Sequence, residues 1–156
     1  MLKRRLGKSK PAHVVPSTLT YSFLQKNPRT LRYIAVQGGL ANQTFNYDEA
    51  RLECAKIGTD LAIIRNDTDF NILMNTVQRS GMFIPDFGAQ KERMWISGRR
   101  TDEVWRWHTG EEIPDPWLWD TGFPTDNNCA RINTEKDEIY IRSFLCSTNF
   151  YQMLCE

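Results

Sequence analysis

The sequence predicts an α+β domain, with two helices on a small antiparallel sheet and a long irregular loop above it. Three observations lead there. Two stretches with helical periodicity, near residues 46–57 and 67–79, precede a series of short β-prone runs. Four of the five tryptophans fall between Trp105 and Trp119. Finally, Gly110 to Asn128 shows neither a helical period nor alternation, and holds Pro114, Pro116 and Pro124. A segment that aromatic and irregular is held only by a scaffold around it.

The totals bound the answer. A chain of 156 residues builds one domain with a core. It is 40% hydrophobic, 25% charged and 12% aromatic, with a formal net charge of +1. Nothing in that balance favours nucleic acid or acidic membrane as a partner. No apolar run approaches the ~20 residues that span a bilayer.

In order, residues 1–30 are basic and then rich in Pro, Ser and Thr, which predicts a poorly ordered tail or stalk. Lys3 to Lys10 reads as part of that solvated tail. No apolar run follows the basic start, so no signal peptide is visible. The domain is expected over residues 31–156. Leu31 to Val36 is β-prone and reads as the first strand. Asn46 is a good N-cap, with Asp48 and Glu49 in the first turn. Ala50, Cys54 and Ile57 form one stripe before Gly58 stops the helix. Leu61 to Ile64 reads as a short buried segment. The second helix presents Phe70, Leu73, Met74 and Val77 on one face. Residues 82–93 read as loop.

Met94 to Ser97 and Val104 to Trp107 read as strands joined by a polar connection, Arg99 to Glu103. Trp95, Trp105 and Trp107 are expected in the core, each indole needing one partner. Gly110 to Asn128 is the long loop, a kind of segment that tends to carry function. Cys129 to Ile132, Glu138 to Ile141 and Phe150 to Cys155 resume strand character. Asn42-Gln-Thr44 and Asn66-Asp-Thr68 are acceptor triplets, making Asn42 and Asn66 candidate glycosylation sites outside the cell.

Four cysteines allow three pairings, and a cytosolic chain keeps thiols reduced. None is spaced Cys-x-x-Cys, and only His13 and His108 offer imidazole nitrogen, so a structural zinc site is not expected.

Several motifs in order resemble those of the C-type lectin-like domain, in its short form with four cysteines. They are Trp95-Ile-Ser-Gly98, Trp105-Arg-Trp107-His-Thr-Gly110, Trp119-Asp-Thr-Gly122-Phe-Pro124, then Cys129, Cys146 and Cys155, with Cys54 on the first helix. The resemblance covers roughly residues 32 to 156. It implies the C-type lectin-like fold and the disulfides Cys54–Cys155 and Cys129–Cys146. In the chain-entropy model the longer closure is worth roughly 4–5 kcal/mol and the shorter about 3 kcal/mol. It implies an extracellular setting, either a secreted protein or the ectodomain of a membrane protein.

Sugar-binding members of that family hold calcium in the long loop through oxygen ligands. The matching positions here are Phe123, Pro124 and Thr125, then Asn127, then Arg142 and Ser143. Phe123 has no side-chain oxygen, and Arg142 is a cation, whose charge near a dication costs several kcal/mol at low effective dielectric. The expectation is therefore no metal and no cofactor at this position. The loop surface is expected to bind a glycan or a protein ligand through Trp119, Phe123, Thr125, Asp126, Asn127, Asn128 and Arg142. The alternative is a calcium-dependent lectin with a rewired site built from Asp120, Asp126, Asn127 and Asn128. An enzyme is not expected. His13 lies in the tail, and His108 near Glu111 and Glu112 lacks the His-Glu-x-x-His spacing of a zinc hydrolase.

Overall fold

A computed structural model of the chain describes residues 19–22, 32–40, 42–80, 93–135 and 138–156. The Lys3–Lys10 stretch, His13 and all of the loop expected over residues 82–93 but Arg93, which opens a strand instead, lie outside the described residues, as do the side chains of β1 and of Val77. The elements are β1 (Leu19–Ser22), β2 (Ile34–Gly38), α1 (Tyr47–Ala55), α2 (Asp67–Ser80), β3 (Arg93–Thr101), β4 (Val104–Arg106), β5 (Cys129–Glu135), β6 (Glu138–Phe144) and β7 (Gln152–Cys155). One seven-stranded sheet runs β1-β2-β7-β3-β5-β6, with β4 paired to β3. All neighbours are antiparallel except β3 and β7. The expected first strand is thus the second: Leu19–Ser22 pairs along it, Tyr21 opposite Val36. Nothing in residues 1–30 announces that strand, because its partner is supplied by the fold and not by its own pattern.

α1 starts at a full capping box. Asn46 Oδ1 accepts from the Glu49 N–H, and Glu49 Oε1 accepts from the Asn46 N–H, both at 2.9 Å. It buries Tyr47, Ala50 and Cys54. The helix ends at Ala55, so Ile57 sits in the exit turn before Gly58, whose φ is +77°, and still packs partly against the core. Glu53 is buried on the same helix with Lys56 as its partner at 2.6 Å. α2 is capped by Asn66, whose Oδ1 accepts from the Asp69 N–H. It buries Leu73 fully and packs Phe70, Ile72 and Met74 at the core's edge.

Alternation along the strands makes two apolar layers, one on each face of the sheet. Met94, Ile96, Ile132, Ile141 and Leu154 face α2 with Tyr33, Ile64 and Leu73. Trp95, Cys129, Met153 and Cys155 face α1 with Tyr47, Ala50, Cys54 and Phe150. Trp95 is wholly buried, its Nε1 donating to the Phe45 carbonyl at 3.0 Å, with Phe150 and Tyr47 against its ring. Cys54 is bonded to Cys155 across a separation of 101 residues, tying α1 to the last strand. Cys129 is bonded to Cys146, closing the β5–β6 hairpin at its open end.

Candidate functional site

The long loop leaves β4, rises and returns to β5. Its base is stitched to the sheet: the Ile113 N–H donates to the Trp105 carbonyl at 2.8 Å and the Asp120 N–H to that of Ile141 at 2.9 Å. Its interior is a chain of indoles. Trp105 meets Trp119 at 4.7 Å between ring centroids, Trp119 meets Trp117 at 4.8 Å, and Trp117 meets Trp107 at 4.9 Å, each edge to face. Trp117 Nε1 donates to the Ile64 carbonyl at 2.7 Å, which anchors the loop to the segment before α2. Trp107 is buried, while Trp105, Trp117 and Trp119 are half-buried. Trp105 is therefore not the full core residue its strand pattern suggests. It lies between the sheet and the loop because its cover, Trp119, comes from the loop itself.

The expected loop-surface residues divide between two places. One group lies over β6. Arg142 Nε donates to Asp120 Oδ2 at 2.8 Å and its Nη1 to Glu135 Oε2 at 3.0 Å. Its guanidinium stands 5.6 Å from the centre of the Phe123 ring and 4.9 Å from that of Tyr140. Thr125 is bound to the sheet: its N–H donates to the Ser143 Oγ at 2.8 Å, and the two hydroxyls are 3.0 Å apart. Phe123 is half-buried, following a tight turn in which its N–H donates to the Asp120 carbonyl. The peptides into Pro116 and Pro124 are cis.

The second group lies at a separate groove. Asp126, Asn127 and Asn128 line an open groove of about 550 Å³ with Arg100, Asp102 and Leu145. Arg100 fixes that side of the loop, donating to Asn128 Oδ1 at 2.9 Å and to the Asp126 carbonyl. Sequence reasoning did not single out Arg100, Asp102 or Leu145. The β3–β4 turn is the signal that points to Arg100 and Asp102, since a two-residue hairpin brings its tip beside the chain that enters β5.

Calcium is the ion the fold implies for this loop, and the donor set at its usual place does not fit it. Phe123 offers a ring, Arg142 a cation already bonded to Asp120, and Ser143 a hydroxyl engaged by Thr125. Among the described residues no three His, Cys, Asp or Glu side chains gather as metal ligands. Asp120 and Asp126, the carboxylates of the rewired alternative, are directed to different neighbours.

His108 lies with Nδ1 3.4 Å from Asp60 Oδ2. Burial opposes ionisation of Asp60, but the two bonds from Arg51, with the Leu61 N–H and His108, outweigh it and hold the carboxyl below its ordinary range. All four cysteines are oxidised. Asn42 and Asn66 are both exposed, and Asn66 also caps α2.

Comparisons with known proteins agree with this geometry. Residues 43–156 match the sequence model of the Lectin C-type domain. A comparison with curated proteins finds no match. Among solved structures, the C-type lectin domain of murine dendritic cell inhibitory receptor 2, in complex with N-glycan, superposes with a TM-score of 0.58 at 14% identity, over 79% of this chain and 88% of that one. Human lithostathine gives 0.61 at 14% identity, over 91% and 89%. The mouse scavenger receptor C-type lectin carbohydrate-recognition domain gives 0.58 at 14% identity, over 90% and 94%. At that identity the structures share the fold. With the family match covering most of its length, the chain belongs to the C-type lectin domain family.

Proposed function

We propose that this chain is an extracellular recognition module that binds a glycan or a glycoprotein or other protein ligand through the long-loop surface, without the calcium–sugar site of its family. The observation that carries the reading is the position of Arg142. Its guanidinium, bonded to Asp120 and set over Phe123, stands where a metal-dependent member needs oxygen ligands. What that surface offers instead is an aromatic ring beside a cation, suited to a sugar ring or to a protein side chain. The two disulfides support an oxidising compartment. That the murine receptor domain was solved with N-glycan supports a sugar as the first ligand to try. The domain itself is taken as residues 31–156 together with the edge strand β1, with the residues before Leu19 as a stalk.

The test is a glycan array with disulfide-intact protein, run in calcium and in EDTA. Binding that survives EDTA and is weakened by Phe123→Ala is expected. Binding that EDTA abolishes would overturn the calcium-independent reading. No binding in either arm would leave a protein ligand for the same surface, to be tested by cross-linking through Phe123 and its neighbours.

A further inference from the structure

The α1 face of the sheet carries charges beyond those at the loop. Alternation on β5 places Arg131, Asn133 and Glu135 on that face. Arg131 is in register with Arg142 on β6, and Asn133 with Arg93 on β3. Three arginines on three neighbouring strands therefore meet, although like charges opposed across a ladder destabilise a sheet. Arg142 is compensated by Asp120 and Glu135. Among the described residues the other two have no such partner. Arg93 Nε and Arg131 Nη1 both donate to one neutral atom, Asn133 Oδ1, at 3.2 and 2.6 Å.

Among the described residues neither Arg93 nor Arg131 meets a carboxylate. Glu135, the acid on the same face of β5, is taken by Asn133 Nδ2 at 2.8 Å and by Arg142. Arg131 is 4% exposed, and its Nε is buried without an acceptor. Burial, then Arg93 and Arg142, push its guanidinium down to about 10, so it remains a cation at neutral pH. Both guanidinium groups lie against Phe144, at 4.6 Å for Arg131 and 5.6 Å for Arg93. A buried cation with an orphaned donor weakens a fold, and an anion close by offsets its uncompensated charge.

We propose that Arg93 and Arg131, beside Phe144, form an anion subsite that takes the sulfate ester or carboxylate of an acidic glycan. The assignment to a sugar rests on the reading of the chain as a glycan-binding module. Continuity supports it. Arg142 stands opposite Arg131 and over Phe123, so one extended ligand leaving the loop surface meets ring, cation, ring and cation in turn. Pyranose rings fit the aromatic faces and their acidic groups the guanidinium forks. Arg93 is only half-buried and is the group the anion reaches first. Arg131 lies behind it and adds its field.

The experiment is calorimetric titration of the disulfide-intact chain with a sulfated heparin-type hexasaccharide, with its desulfated, carboxylate-bearing counterpart, and with neutral maltohexaose. One or both acidic sugars should bind, less tightly as salt rises, and Arg93→Gln should weaken them about tenfold or more. Which acidic arm responds names the anion. Equal affinity of parent and Arg93→Gln, maltohexaose bound as tightly as the acidic sugars, a hexaglutamate peptide bound as tightly, or no acidic sugar bound would each overturn the subsite. Phe123→Ala is measured alongside. Loss there with Arg93→Gln unaffected leaves the loop reading standing and removes the subsite, while the reverse pattern keeps the subsite and removes the loop. Arg131→Met guards against a merely structural effect. It should melt no lower than the parent while losing acidic-sugar affinity, and a much lower melting temperature would overturn the proposal.

Discussion

Arg142 Nε lies 2.8 Å from Asp120 Oδ2, with both side chains 20% exposed. The pair joins the middle of the long loop to β6, next to the Asp120 N–H bond to the Ile141 carbonyl. Partial exposure lowers its worth, and a double-mutant cycle of Asp120→Asn with Arg142→Gln should give a coupling of about 0.5–1 kcal/mol. Urea midpoints of the four proteins measure it. A coupling of zero would mean that this pair adds nothing to the other contacts that hold the loop.

Trp117 is the larger anchor. Its substitution by Phe deletes the donor to Ile64 and shrinks the ring between Trp107 and Trp119. The orphaned carbonyl and lost contacts together cost roughly 1.5–3 kcal/mol. For a chain of this size that lowers the Tm by roughly 5–10 °C by calorimetry. An unchanged Tm would show that the indole chain does not stabilise the loop.

The β3–β4 connection is a two-residue turn, because Thr101 pairs directly with Val104. Asp102 and Glu103 both adopt positive φ, +53° and +67°, the conformation that Asn-Gly takes most readily. The double substitution Asp102→Asn, Glu103→Gly should stabilise the protein by about 0.5–1 kcal/mol. A thermal melt checks the sign, and a loss of stability would mean that the turn is not strained.

Acid should weaken the fold through Asp60. Its native pKa is depressed, so its contribution is present above the unfolded value of about 4 and is lost as pH falls through the native one. The parent protein should therefore lose stability relative to Asp60→Asn as pH is lowered from about 4. Parallel denaturant curves at stepped pH give the comparison, and identical slopes would remove Asp60 from the acid response.

Much of this architecture is legible in the chain. Asn46 with Glu49 writes the start of α1, and Gly58 its end, since capping and helical period depend on residues a turn apart. The Met94, Trp95, Ile96 alternation reports two buried faces. The long loop is legible from its prolines and glycines. β1 is not, because a short edge strand takes its conformation from the strand beside it. Nor is the parallel pairing of β3 with β7, which joins Met94 to Gln152 across more than half a hundred residues of chain.

The candidate site was legible in part. Phe123 and Arg142 do come together, and the residue types at that place are what carry the proposal of a calcium-independent surface. The removal of Asp126, Asn127 and Asn128 to a separate groove does not follow, because it depends on which way the loop turns after Pro124. Arg131 carried no signal in the sequence beyond its place in a strand.

That Arg131 meets no carboxylate among the described residues is a property of register. By itself the sequence determined the helices, the apolar faces and the indole-rich loop, all set by neighbours within a few residues. Only the tertiary structure decided that Trp119 covers Trp105, that Asp120 neutralises Arg142 and that Arg93 and Arg131 share Asn133. Those contacts join groups 14 to 40 residues apart, apart from Arg131 and its near neighbour Asn133. Desolvation and Coulomb energies act through space and take no account of distance along the chain.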